Sequence, residues 1–126
     1  MTKVEVERAK KAWGLIAVIN LSGCDHRMIQ SPTKIKLFVK QLCKRIKMVP
    51  YGPTMVKKFG TGSLEGYSAL QFIETSSITL HFDDKGGDRA FIDIFSCKYF
   101  EATDALDFSR EFFQAKKSKM KVIVRD

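Results

Sequence analysis

Four side chains that can act as nucleophiles or transfer protons lie in a part of the sequence that is otherwise apolar and strand-like. They are Ser68, Ser76, His81 and Cys97. A serine hydroxyl can attack a carbonyl carbon, a histidine titrates near neutral pH, and a thiol can return a proton near its own pKa. Each residue taken alone is more typical of a structural role, so a functional interpretation depends on the four together.

The sequence lacks the usual patterns of a phosphate-binding loop, a metal site or a disulfide framework. The three glycines between positions 60 and 66 lack the Gly-Lys-Ser/Thr ending of a phosphate-binding loop and lead into a strand. The two histidines are far apart in sequence, and we expect no metal site. The three cysteines, Cys24, Cys43 and Cys97, are widely spaced, which favours neither a disulfide framework nor a zinc site. This cysteine usage is typical of a reducing compartment, and a cytoplasmic location is expected.

The first half of the chain predicts a strand and a helix. Residues 13–21 are rich in Leu, Ile and Val and end at Ser22-Gly23, which predicts a buried strand followed by a turn. Ser31-Pro32 then supplies the N-cap and first-turn proline of a helix. Apolar residues at helical spacing follow it: Ile35, Phe38, Val39, Leu42 and Ile46. The basic residues on the other side of this helix predict a solvated face.

The second half predicts mainly strands. The stretches 53–59 and 67–83 flank a glycine-bearing loop and indicate two or more strands, and 90–97 indicates another. Within 76–83 the polar and apolar residues alternate, so His81 is expected to face away from the main apolar layer. Thr103-Asp104 opens a second helix, and 120–124 is the last strand.

These elements follow the order β-α-β-β-β-α-β. That order predicts an α+β fold: a two-layer sandwich in which helices pack on one face of an antiparallel sheet. A length of 126 residues suits a single domain, 1–126.

The apolar content and the net charge indicate whether a membrane or a nucleic acid is an expected partner. The chain is 44% apolar with a net charge of +8, and no apolar run is long enough to predict a membrane span. The charge favours polyanions, and the element order leaves an RNA-recognition-like binding module as one alternative. Its aromatic signature is incomplete because Ile94 stands where an aromatic residue is wanted, so nucleic acid is not the expected partner.

Several short motifs occur in a fixed order along nearly the whole chain. They are Gly23-Cys24-Asp25, Lys58-Phe59, Gly66-Tyr67-Ser68, Ser76 to His81, and Phe91-Ile92-Asp93-Ile94-Phe95-Ser96-Cys97. Ser76 lies eight residues after Ser68 and five before His81. Cys97 lies sixteen residues after His81. In these motifs and spacings the sequence resembles the short prokaryotic S-adenosylmethionine decarboxylases.

The resemblance implies a decarboxylase that makes its own pyruvoyl cofactor and serves polyamine (spermidine) biosynthesis. Decarboxylation leaves an electron pair that no side chain can hold, whereas a carbonyl group joined to the substrate amine as a Schiff base can hold it. By resemblance, the chain cuts itself between Thr75 and Ser76, and residue 76 becomes the pyruvoyl group. His81 then removes the Cα proton of residue 76, Ser68 hydrogen-bonds the intermediate, and Cys97 later protonates the substrate carbon.

The resemblance also implies how substrate is held. Phe59 would stack on adenine, and the active protein would be a homodimer of cleaved protomers whose sites draw on both. The family has a ribose-binding glutamate four residues after the histidine, where this sequence has Lys85. Asp83 or Asp84 is therefore the candidate substitute. Because these carboxylates could equally hold a cation, a pyruvoyl-dependent decarboxylase of arginine or ornithine is the alternative.

Overall fold

Alternating apolar residues build one six-stranded antiparallel sheet, and three helices accompany it. The computed structural model describes residues 1–126. The elements in chain order are α1 (Lys3–Lys11), β1 (Gly14–Ser22), α2 (Pro32–Arg45), β2 (Pro50–Phe59), β3 (Gly66–Ile73), β4 (Ser76–Asp83), β5 (Arg89–Ser96), α3 (Ala102–Phe112) and β6 (Lys117–Arg125). The strands lie in the order β2-β3-β4-β5-β1-β6, which confirms the predicted α+β class.

Two features differ from the predicted element order. The stretch 67–83 is two strands, because Glu74 and Thr75 form a tight turn between Ile73 and Ser76, which pair across it. The sheet therefore has six strands, one more than predicted. Helix α1 was also not predicted, since it has no apolar stripe and buries only Ala9. It is instead stabilised by a capping box between Thr2 and Glu5.

Helix α2 begins where the sequence predicts. The Ser31 hydroxyl accepts a hydrogen bond from the backbone N–H of Lys34 at 3.2 Å, and Pro32 occupies the first turn. The predicted apolar stripe of this helix is buried against the sheet.

The core lies between the helices and the inner face of the sheet. Ile78, Leu80 and Phe82 of β4 point into it and are almost completely buried, as the alternation predicts. The ring of Phe113 packs against Phe38 of α2, with 4.6 Å between centroids, and against Phe82, with 5.4 Å between centroids. These aromatic contacts join the helices to the central strands.

The opposite face of the sheet, here called the open face, has no helix over it. Alternation places on it the side chains that do not enter the buried cluster, many of them apolar, including Ile16, Val18, Met55, Leu70, Phe72, Phe91, Phe95 and Ile123. Phe72 is 51% exposed. An apolar surface of this breadth is typical of a protein interface.

None of the three helices is both long and apolar enough to cross a membrane.

Candidate functional site

Strands β3 and β4 bring Ser68 and His81 together on the open face. The two residues are direct cross-strand partners, and Ser68 Oγ lies 2.9 Å from His81 Nδ1. The predicted outward orientation of His81 is confirmed, and its side chain is exposed. Because Nδ1 is occupied by the hydroxyl, Nε2 is the ring nitrogen left to exchange a proton with another group.

A shallow pocket opens beside this pair. It has a volume of about 290 Å³ and includes Phe59, Met55, Leu70 and both members of the pair in its wall. Phe59 ends strand β2 and is 60% exposed, so one face of its ring is available for contact. An aromatic ring at the rim of an apolar pocket can stack on a planar ligand group.

Ser76 and Thr75 lie at the opposite end of β4, in the β3–β4 turn. The carbonyl oxygen of Thr75 accepts a hydrogen bond from the backbone N–H of Cys97 at 2.9 Å. The Thr75 hydroxyl lies 2.8 Å from the hydroxyl of Ser96, which is completely buried. Ser76 itself has φ 152°, a backbone conformation that costs a residue other than glycine about 1 to 3 kcal/mol. The 75–76 peptide is thus both strained and held by a hydrogen bond to its carbonyl oxygen.

Cys97 is the one accessible thiol of the chain. It follows β5 directly and is exposed, whereas Cys24 and Cys43 are buried. Burial raises the pKa of Cys43 to about 11, and burial together with the nearby Asp88 raises that of Cys24 to about 11. Of the three thiols, only Cys97 can reach a ligand on the surface.

The acidic turn after β4 is held by its own hydrogen bonds. Asp83 accepts from the guanidinium of Arg89 at 2.7 and 2.9 Å and from the backbone N–H groups of Lys85 and Gly86. Burial acts to raise the pKa of Asp83, but these donors outweigh it and hold the pKa below its usual value. Asp83 therefore has no oxygen free of a partner.

Lys85 bridges this turn to the loop before β3. Its ammonium lies 3.4 Å from the Asp84 carboxylate and 3.5 Å from the Glu65 carboxylate. The positive charge of Lys85 is thus shared between two carboxylates. Glu65 was not identified from the sequence, because nothing in its spacing reports a contact with a residue twenty positions away.

The predicted residues fall into two groups. Ser68, His81 and Phe59 meet at one end of β4, with the acidic turn nearby, whereas Ser76 and Cys97 meet at the other. Ser96 was missed by the sequence interpretation, although its position on the otherwise apolar inner face of β5 is a detectable signal. His26 belongs to neither group, because it pairs with Asp88 at 2.6 Å.

Comparison with known proteins places this chain in an enzyme class. The sequence model described as S-adenosylmethionine decarboxylase matches residues 16–126, and the members of that family are carboxy-lyases. The chain belongs to the S-adenosylmethionine decarboxylase family, which implies a role in polyamine biosynthesis and confirms the resemblance noted in the sequence.

A solved structure supports the same fold. The chain superposes on the crystal structure of the adenosylmethionine decarboxylase from Aquifex aeolicus VF5 with a TM-score of 0.76. The match covers 91% of this chain and 92% of that chain at 19% sequence identity. No curated protein matches the chain.

The contacts of Asp83 generate a pH-dependent prediction. Replacing Asp83 with Asn removes the charge that Arg89 and two backbone donors stabilise, and we expect a loss of about 1 to 2 kcal/mol in the free energy of unfolding at pH 7. Because the pKa of Asp83 is lowered by folding, its stabilisation is complete above the unfolded pKa of about 3.9 and is lost as the pH falls through the folded value.

Urea unfolding of wild type and Asp83→Asn between pH 7 and pH 3 measures this difference. Asp107→Asn is the matched control, since Asp107 is exposed on α3 and has no ion pair. A stability difference that stayed constant down to pH 3 would contradict the assignment.

Proposed function

We propose that this chain is a self-processing, pyruvoyl-dependent S-adenosylmethionine decarboxylase whose own Thr75–Ser76 bond is the processing site. The observation that carries the proposal is the hydrogen bonding and backbone conformation of that peptide. The Thr75 carbonyl oxygen accepts a hydrogen bond from the Cys97 N–H, and Ser76 has φ 152°. A backbone donor on a carbonyl oxygen stabilises the negative charge that develops there during nucleophilic attack. The strain in Ser76 raises the energy of the peptide before the reaction begins.

Processing begins with attack of the Ser76 hydroxyl on the carbonyl carbon of Thr75. A C–O bond forms, the C–N bond breaks, and the nitrogen of residue 76 takes up a proton as the amide becomes an ester. A base then removes the Cα proton of residue 76, and the electron pair expels the Thr75 carboxylate. Water releases the nitrogen as ammonia and leaves a pyruvoyl group on the new end of the chain.

His81 cannot be this base within a single chain. It lies five residues from Ser76 along one extended strand, which corresponds to roughly 16 Å between their Cα atoms. Its partner Ser68 is at the same distant end. Proton transfer requires a distance near that of a hydrogen bond, so the imidazole that acts on residue 76 must come from a second copy.

Pairing of two open faces supplies that second copy. A two-fold axis that lies between the sheets and perpendicular to β4 reverses the strand direction in the partner. The Ser68–His81 end of each copy then lies against the Thr75–Ser76 end of the other. The broad apolar surface of the open face is the kind of surface that such an isologous interface buries. We therefore propose a homodimer of cleaved protomers, with each site built from both.

The residues around Ser76 fit a pyruvoyl group. When present, that group supplies the electron sink that decarboxylation requires. The chain's own contribution is to position it: the backbone N–H of Cys97 faces this peptide, and the exposed thiol of the same residue would protonate the substrate carbon. The pocket that Phe59 lines would bind the adenine ring by stacking.

The acidic turn is the proposed ribose contact, and within it Asp84 is the better acceptor. The four hydrogen bonds that Asp83 accepts come from two backbone N–H groups of the turn and from Arg89, whereas Asp84 contacts only the Lys85 ammonium. A substrate hydroxyl could share the Asp84 carboxylate without breaking a backbone hydrogen bond. The same acidic turn, with Glu65 nearby, is the observation that favours arginine or ornithine as the second candidate substrate.

Self-cleavage is the first consequence to test. We expect purified wild type to separate into residues 1–75 and a pyruvoyl-blocked chain of residues 76–126, which intact-mass spectrometry resolves. Ser76→Ala lacks the nucleophile and should stay whole. Cys97→Ala is the matched control because it keeps the backbone N–H: it should still cleave, yet lose most decarboxylation. Wild type that stays whole, or Ser76→Ala that is cut at the same bond, would contradict the processing mechanism.

Substrate identity is tested by carbon dioxide release from S-adenosylmethionine, arginine and ornithine in parallel. With S-adenosylmethionine as substrate, Phe59→Ala should lower kcat/KM about tenfold or more, because base stacking on an aromatic ring contributes on the order of 1 to 3 kcal/mol. Leu64→Ala is the matched control, since Leu64 is 83% exposed and lies outside the Phe59 pocket. Activity on a free amino acid alone, unchanged in Phe59→Ala, would favour the second candidate.

A further inference from the structure

A second, larger cavity lies where β1 ends and where β5 and β6 begin. In the single chain it is open to solvent and has a volume of about 690 Å³. Half of the residues in its wall are cationic: Arg89, Arg110, Lys116, Lys117 and Lys119. None is acidic. The cavity is therefore a concave surface of one sign of charge, which focuses the electrostatic potential within it.

The charges in this cavity are mostly not neutralised by the protein. Arg89 is paired with Asp83, but Arg110, Lys116, Lys117 and Lys119 have no carboxylate within 4.0 Å. Like charges that converge on one cavity repel each other, and a bound anion would relieve that repulsion.

The neutral residues of the wall are also suited to an anion. The side chains of Asn20, Ser22 and Ser118 can each donate a hydrogen bond, and none of them forms one within the chain. Phe91 adds one aromatic wall, with the Arg89 guanidinium 5.5 Å from its ring centroid. The cavity thus combines free cations, free neutral donors and an aromatic surface.

We propose that this cavity, here called the basic cavity, binds a small anion with several phosphate groups, of the polyphosphate or nucleoside polyphosphate class. Arg and Lys side chains together with hydroxyl and amide donors are the groups that recognise phosphate oxygens. A concave cluster confined to one cavity favours a compact ligand over nucleic acid, whose backbone needs an extended basic track.

The basic cavity is separate from the Phe59 pocket but close to it. The two share no residue. Phe91 is the direct cross-strand neighbour of His81, so the basic cavity borders the Ser68–His81 pair from the other side. The proposal does not depend on the decarboxylase mechanism, since binding can be measured on uncut protein.

Calorimetric titration of the full chain, kept uncut by Ser76→Ala, with tripolyphosphate tests the proposal. We expect saturable binding that weakens as salt is raised, and about tenfold weaker binding by the double variant Arg110→Gln, Lys117→Gln. The matched control, Lys34→Gln with Lys44→Gln, removes the same charge from the exposed face of α2 and should change the affinity less than about twofold. Thermal unfolding of both variants verifies that they are folded.

Two further probes identify the ligand chemistry. ATP binding more tightly than tripolyphosphate would support a nucleoside polyphosphate, and equal binding would support recognition of the phosphates alone. No saturable tripolyphosphate binding at low salt, or equal losses in the two double variants, would overturn the proposal. A single-stranded oligonucleotide that bound more tightly than either probe, with equal losses in both variants, would overturn it in favour of a diffuse nucleic-acid surface.

Discussion

Strand β4 holds Ser76 and His81 at opposite ends of one extended segment. The proposed mechanism and the proposed dimer both follow from this separation. An extended strand rises by roughly 3.3 Å per residue and cannot bend back on itself inside a paired sheet. Both neighbours of β4 are hydrogen-bonded to it along its length, so the distance is fixed. In the proposed mechanism each end carries a different part of the chemistry, and a second copy joins the two parts.

The two ends differ in physical character. At the Ser76 end, a backbone donor and a strained φ angle act on one peptide bond, and the buried Ser96 contacts the Thr75 side chain beside it. At the His81 end, an exposed imidazole and a hydroxyl lie beside an apolar pocket and an acidic turn. The first arrangement suits a single rearrangement of the backbone, and the second suits proton transfer and the binding of a planar group. In the proposed dimer, the apolar open face brings both arrangements to one interface.

Local patterns predicted much of the fold. Alternation within β4 was enough to place His81 on the face opposite Leu80 and Phe82, and Ser31-Pro32 was enough to locate the start of α2. Both features depend on residues close in sequence, where propensity and periodicity carry the information.

Features that depend on tertiary context were not predictable. The turn at Glu74 and Thr75 contains no glycine, proline or asparagine, so no local pattern marked where residues 67–83 divide into two strands. The hydrogen bond from Cys97 to the Thr75 carbonyl and the ion pair between Lys85 and Glu65 join residues about twenty positions apart. Spacing identified the candidate residue types, and the strand predicted over 76–83 already implied that Ser76 and His81 are apart, but only the sheet register showed which residues surround each of them.

The central claim is that each site combines Ser76 of one copy with His81 of another, and mixed dimers of two inactive variants test it most directly. Ser76→Ala and His81→Ala are produced together with different tags, and the mixed species is purified through both. The account predicts that the His81→Ala chain is cut after Thr75, because its Ser76 meets the intact His81 of the Ser76→Ala copy, while the Ser76→Ala chain stays whole. Neither chain being cut in a verified mixed dimer, under conditions that process wild type, would contradict the account.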